Sequence, residues 1–432
     1  MPTLCLVWVL VVSPAAVAGA VSPPPIDDSL LPPAAAPAPP RATVRHDDCA
    51  TPSGESASAA HPLVQDLDAV WALTRGAGQT VAVIDTGVAR HRRLPHLIPG
   101  GDYVWKQDGT ADCDGHGTAV AGIIAASPDA GDPAGFTGLA PDAAILAIRQ
   151  SSNKFRADGD AAAAGFGDVE TLAAAVRTAA DLGAGIVNVS SVACLPADIV
   201  LDDRALGAAL AYAVDVKNVV VVSAAGNVGG PGQCPDQNPA DPAADVAVVA
   251  SPAWYDDLVL TVGSVGADGI ASPFTLAGPW VDVAAPGEDV VSLAAAADGL
   301  VDRTAAGTAL SGTSYAAPVV SAVAALVRAR FPELTARQVM TRIENTARPT
   351  AGGGNPSVGR GVVDALAAVS GPAGTGVPPA PAPAPVALPV RTPEAARPGS
   401  PVRGAVICLA LVGGVGLAVA AVGRLRSAVP RD

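Results

Sequence analysis

Short apolar runs rich in β-branched residues alternate along this chain with longer alanine-rich stretches, and that alternation limits the fold more than any other feature. The runs are Thr80–Ile84, Ala144–Ile148, Gly185–Val189, Val219–Val222 and Leu258–Val262. Each is too short for a stable helix and apolar on both faces, as a strand covered on both sides must be. Between them lie helical patterns such as Val169–Leu182 and Asp203–Val214. Strands alternating with helices predict an α/β fold, a parallel β-sheet flanked by helices. Ligand chemistry on such a sheet gathers at the carboxyl ends of its strands.

Composition fits that frame. Half the residues are hydrophobic but only 3% are aromatic, so the core must come from Ala, Val, Ile and Leu. The net charge of −14 leaves no clusters of Lys and Arg to neutralise phosphates, which argues against nucleic acid as a partner.

The ends of the chain read differently from its middle. An apolar run, Leu4–Val12, is followed by Pro14 and the small residues Ala15–Ala20, the pattern of a signal peptide over 1–20 cut after Ala18 or Ala20. No Lys or Arg precedes the run. Residues 21–60 form an N-terminal arm whose Pro/Ala stretch, Ser22–Pro40, is expected to stay extended and unpacked. The globular domain spans 61–370, and 371–403 is a Pro-rich linker. Residues 404–423 carry no charge and are long enough to cross a bilayer once, as a transmembrane helix. Arg424, Arg426 and Arg431 in the short tail 424–432 favour a cytoplasmic C-terminus and an extracytoplasmic domain.

Three motifs carry chemistry. In Val81-Ala-Val-Ile-Asp-Thr-Gly-Val88 the carboxylate of Asp85 ends a buried strand. An aspartic-protease dyad would need a second Asp-Thr/Ser-Gly, and the chain has none. In Asp114-Gly-His-Gly-Thr-Ala-Val-Ala-Gly122, His116 sits between two glycines where an apolar helix begins. In Ser311-Gly-Thr-Ser-Tyr-Ala-Ala-Pro318, Ser314 opens another apolar helix, where free backbone N–H groups favour developing negative charge. A serine nucleophile needs a base, His supplies it, and a buried carboxylate fixes the imidazole. The order Asp, His, Ser differs from that of the α/β-hydrolases, in which the nucleophile comes first. A fourth segment, Val219-Val-Val-Val-Ser-Ala-Ala-Gly-Asn227, ends a buried strand in an Asn that is either a turn residue or a donor to an oxyanion.

Cys5 falls in the signal and Cys408 in the span, leaving Cys49, Cys113, Cys194 and Cys234 in an oxidising compartment. Cys194 and Cys234 follow strands that a βαβ unit makes neighbours, so the expected pairs are Cys194–Cys234 and Cys49–Cys113. No H-E-x-x-H and no calcium-loop spacing appears, so the sequence assigns no metal and no cofactor, and a calcium site assembled from distant loops stays open. Thr335-Ala-Arg-Gln338 reads as a capping box after Pro332.

The four segments, in this order over roughly residues 60–370, resemble the subtilisin-like serine proteases. The resemblance implies the subtilisin-like fold, peptide-bond hydrolysis by Asp85, His116 and Ser314, and Asn227 in the oxyanion hole. It also implies that Ser190, Ser191 and Val192 pair with protein or peptide substrates, and that Ala224, Ala225 and Gly226 border the pocket for the residue before the cut. An exported N-terminus, Asp112-Cys113-Asp-Gly-His116, a Pro-rich linker and one C-terminal span look, within that family, like a mycosin. Mycosins are membrane-anchored subtilases of type VII secretion systems, so the resemblance implies the secretion membrane complex as a partner. It also raises the alternative of a structural subunit whose protease activity is secondary.

Overall fold

The structure is a computed structural model that describes residues 21–51, 63–132, 134–230, 232–241, 245–304, 306–350 and 354–372. The expected signal peptide, most of the linker, the apolar stretch 404–423 and the tail lie outside these residues. Among the described residues no helix is long and apolar enough to cross a membrane.

Seven parallel strands form the central sheet: β1 (Thr80–Asp85), β2 (Leu97–Asp102), β3 (Ala144–Arg149), β4 (Ile186–Val189), β5 (Val220–Ala224), β6 (Leu260–Val265) and β7 (Val283–Pro286). Their order is β7-β6-β5-β4-β1-β3-β2. All five apolar runs of the sequence are strands here, within two or three residues at their ends. The other two strands, β2 and β7, are the edges. Pro99, Gly100 and Gly101 within β2 and Pro286 at the end of β7 are residues an interior strand excludes and an edge tolerates. In β2 the pairing shifts register between Pro99 and Gly101.

The chain leaves β1 to build one side of the sheet and returns beside it as β4 to build the other. That reversal puts the carboxyl end of β1 at a topological switch point, where the neighbouring connections part and leave a crevice. Helices α1 (His116–Ala125) and α4 (Thr313–Arg330) pack together on one face of the sheet. Helices α2 (Val169–Asp181) and α3 (Arg204–Ala211) pack together on the other face. Almost all of α4 is buried, and its small side chains let it lie close to β4, β5 and β6. Helix α5 (Ala336–Thr346) starts at Thr335, whose side chain accepts from the Gln338 N–H while the Gln338 side chain accepts from the Thr335 N–H.

The expectation that the Pro/Ala arm does not pack is corrected by the structure. Val21 and Leu31 rest against the core, and Arg177 on α2 donates to the Pro32 carbonyl at 2.9 Å. The Pro37 ring covers Gly101, where a Cβ would come within 2.4 Å of it. Further on, Thr43–Arg45 pairs antiparallel with Phe155–Ala157. Such a segment needs no core of its own: prolines lower the entropy lost on ordering, and scattered apolar side chains use the domain's existing surface. The described part of the arm runs as far as the switch-point crevice. There Cys49 is bonded to Cys113 and the Ala50 N–H donates to the Cys113 carbonyl at 2.8 Å. This bond closes a separation of 64 residues, a constraint on the unfolded chain worth about 4 kcal/mol in the entropic account.

Candidate active site

Asp85 at the end of β1 and His116 at the start of α1 meet because two glycines let their backbones press together. A Cβ on Gly117 would lie 2.1 Å from the Gly87 carbonyl oxygen, so only glycine allows α1 to begin this close to the β1 turn. The Asp85 carboxylate is 2% exposed, and its Oδ1 lies 2.7 Å from His116 Nδ1. The same oxygen accepts the Thr86 N–H at 2.7 Å, while Oδ2 is buried with no hydrogen-bond partner among the described residues. A carboxylate with half its acceptor capacity unmet gains more from a neighbouring imidazolium.

The other face of the imidazole points at the nucleophile candidate: His116 Nε2 lies 3.0 Å from Ser314 Oγ. Asp85, His116 and Ser314 thus form one hydrogen-bonded chain, assembled from segments far apart in sequence. His116 keeps 29% of its side chain exposed, on the cleft side. Burial disfavours its protonated form, but the charge and hydrogen bond of Asp85, with Asp112 and Asp114 behind them, outweigh that and raise its pKa above the usual imidazole value.

Asp112 holds the loop that carries His116. Its Oδ1 accepts from the N–H groups of Asp114 and Gly115 and from Thr86 Oγ1, and its Oδ2 from the N–H and hydroxyl of Thr118. Desolvation pushes this carboxyl up to about 6 in spite of those bonds. Asp114 is engaged in the same way by Ser152 Oγ and the Asn153 N–H.

Ser314 is not the N-cap of α4. That position belongs to Gly312, and Ser314 is the second helical residue, its hydroxyl turned to His116. A Cβ on Gly312 would stand 3.1 Å from Ser314 Oγ and 3.2 Å from Asn227 Nδ2, in the space an attacked carbonyl must enter. Asn227 is not in the left-handed conformation of a turn residue. Its Oδ1 accepts the Thr313 N–H at 2.9 Å and the Thr313 hydroxyl at 3.1 Å, which directs Nδ2 to the Gly312–Ser314 turn. The Ser314 N–H lies in a first helical turn that supplies no acceptor for it, so it is a second free donor candidate beside Asn227 Nδ2.

Pro318 lies inside α4 and has no N–H for the Ser314 carbonyl four residues back. Ser190 fills the gap: its hydroxyl donates to that carbonyl at 3.0 Å and accepts from Asn188 Nδ2 at 2.8 Å, while Asn188 Oδ1 accepts from Ser321 Oγ at 2.8 Å. The side chain of Ser190 is therefore committed to the nucleophile's turn. Ser191 and Val192, which pair with no strand, line the cleft. Ala224 and Ala225 are fully buried beneath it, and Gly226 has φ +105° beside the Cys194–Cys234 disulfide. Sequence reasoning missed Thr313, Asn188 and Ser321. Asn188 was the visible clue, a polar residue inside the strand Ile186-Val-Asn-Val189.

The cleft holds about 680 Å³ and runs past Ala50, Thr51, His116, Ser191, Val192 and Tyr315. Among the described residues no group of three or more His, Cys, Asp or Glu is placed to hold a metal ion.

Comparison with known proteins agrees with this architecture. Residues 76–365 match the subtilase family. Over 414 residues the chain is 58% identical to Mycosin-4 of Mycobacterium tuberculosis, covering 91% of this chain and 90% of that one. Mycosin-3 of the same organism is 44% identical, over 84% and 83% of the two chains. Among solved structures, the MycP3 protease from the type VII (ESX-3) secretion system superposes with a TM-score of 0.74 at 44% identity, covering 81% of this chain and all of that one. A chain in an intact ESX-5 inner membrane complex does so with a TM-score of 0.75 at 40% identity, covering 94% of this chain and 100% of its own.

Proposed function

The chain belongs to the subtilase family, on its mycosin branch, and from that premise we propose that it cuts exported proteins through a Ser314 acyl-enzyme while tethered to the outer face of the cell membrane beside a type VII secretion complex. One observation carries the chemistry: the chain Asp85 Oδ1–His116 Nδ1, 2.7 Å, and His116 Nε2–Ser314 Oγ, 3.0 Å. In this reading His116 takes the Ser314 proton as Oγ attacks the peptide carbonyl, and Asp85 stabilises the imidazolium. Asn227 Nδ2 and the Ser314 N–H receive the oxyanion, and His116 then returns the proton to the leaving amine. Water repeats the sequence on the acyl-enzyme. Ser191 and Val192 present the backbone edge along which the substrate lies.

The setting rests on the mycosin relatives, on the likeness to a chain of the ESX-5 inner membrane complex, and on the uncharged stretch 404–423 after a Pro-rich linker. A tether is of no use to a free-ranging digestive protease, whereas it raises the effective concentration at one fixed partner. The likeness to a membrane-complex chain also favours a second role, as a structural subunit. Cells lacking the whole chain are then expected to stop secretion. Cells with Ser314→Ala are expected to secrete but leave one or more exported proteins uncut, and removal of 404–432 to mimic the deletion. Normal secretion in the deletion strain would eliminate the structural role, and unchanged processing with Ser314→Ala would eliminate the proteolytic one.

A further inference from the structure

The end of the sheet opposite the catalytic residues carries a second concavity. Val216 and Leu258 stand just before β5 and β6, and they line a groove of about 790 Å³ with Tyr212, Trp254 and residues 23–26 of the arm. Val216 is 68% exposed there and Ile26 42%, although both are large apolar side chains. Pro23, Pro24 and Pro25 bring no N–H to the groove, so a guest beside them is held by its side chains and not by an added β-ladder.

Charge on the rim decides which side chains those are. Asp28, Asp215, Asp256 and Asp257 border the groove, against Arg337 as its single cation. Arg337 is already committed: its guanidinium bonds both Asp215 carboxylate oxygens, at 2.8 and 3.0 Å, and the Asp257 carbonyl at 2.5 Å. Asp28, Asp256 and Asp257 make no ion pair among the described residues. Burial and the charge of Asp257 push the Asp256 carboxyl above its usual value, so its ionised form gains from a cation brought beside it. The same rim repels anionic lipid and nucleic acid. Exposed apolar walls and unneutralised carboxylates are together complementary to a guest that is both aliphatic and basic. Resting on the reading of the chain as a structural subunit, we infer that this groove docks it on the secretion membrane complex by receiving a partner segment with aliphatic side chains beside Lys or Arg. The catalytic cleft, at the other end of the sheet, then stays free for substrate.

The test uses the full-length chain in cells, with the membrane complex purified through a tag on another subunit. Asp256→Lys combined with Asp257→Lys should lower the amount of chain retained by about tenfold or more, because like charges brought together at an interface oppose binding strongly. Val216→Ser, at an exposed position, should lower it by about threefold through lost apolar contact alone. Val200→Ser removes a side chain that is 91% exposed outside the groove and should leave retention unchanged. A wild-type unfolding temperature shows that each variant is folded, and Val216→Ser decides the matter where the lysine pair is not. Wild-type retention of both groove variants would overturn the inference and leave the subunit reading standing, as would an equal loss with Val200→Ser. Absence of the wild-type chain from the purified complex would strike the subunit reading itself, and the inference with it.

Discussion

The loop that holds His116 and the turn that holds Ser314 face each other across 3.0 Å, yet they are anchored by opposite kinds of side chain. Around His116 stand three carboxylates: Asp85 against the ring, Asp112 beneath the loop, and Asp114 beside it. Around Ser314 every anchor is neutral, from Thr313 and Asn227 to Ser190, with Asn188 and Ser321 behind them. The division follows the charges that would form during acyl transfer. The imidazole turns positive and gains from anions, whereas the carbonyl oxygen turns negative and a carboxylate within a few ångströms would oppose it.

Five substitutions probe that division, in order of expected size. Removing Ser314 or His116 with alanine breaks both halves at once. Loss of about 10⁶-fold in kcat is expected, with the double variant hardly worse than either single one because the members of a triad act as a unit. Asn227→Ala removes one neutral donor. It should lower kcat by about 10²–10³-fold with little change in KM, the scale established in subtilisin. Ser190→Ala leaves the Ser314 carbonyl without its donor, which should cost about 1–3 kcal/mol of stability and lower kcat by less than Asn227→Ala does. Because Ser190 is neutral, the pH profile should not move.

Asp112→Asn makes the smallest but most diagnostic change. Only neutral His116 can accept the serine proton, so kcat/KM rises with pH through the imidazole's pKa. Burial lowers that pKa, and the carboxylates, Asp85 first and Asp112 among them, raise it to a net upward shift. Taking away one of these charges should therefore move the acid limb of the profile to lower pH. A limb that stays in place with Asp112→Asn, or moves with Ser190→Ala, would break the charged-versus-neutral division.

How far the sequence foretold this structure depends on where a residue's partners lie. The interior strands β1, β3, β4, β5 and β6 were legible because burial on both faces writes an unbroken apolar run. The edges β2 and β7 were not, because an edge admits the proline and glycine that otherwise signal a turn. Asp85, His116, Ser314 and Asn227 stood out because each sits in a local pattern of glycines and small residues that its geometry requires, as with Gly117 and Gly312. Thr313, Asn188 and Ser321 lack such a pattern: Asn188 meets Ser321 across 133 positions of sequence, a pairing only the folded chain creates. The arm was misread because packing was judged from its own composition, although its apolar contacts are made on the surface of a domain already folded.

The account stands or falls on whether Ser314 is a nucleophile activated by His116. Fluorophosphonate treatment followed by peptide mapping asks that directly. A single adduct on Ser314 is predicted, formed rapidly in the wild-type protein and lost in the folded His116→Ala variant. An adduct on a different serine, or undiminished labelling of Ser314 without His116, would contradict it.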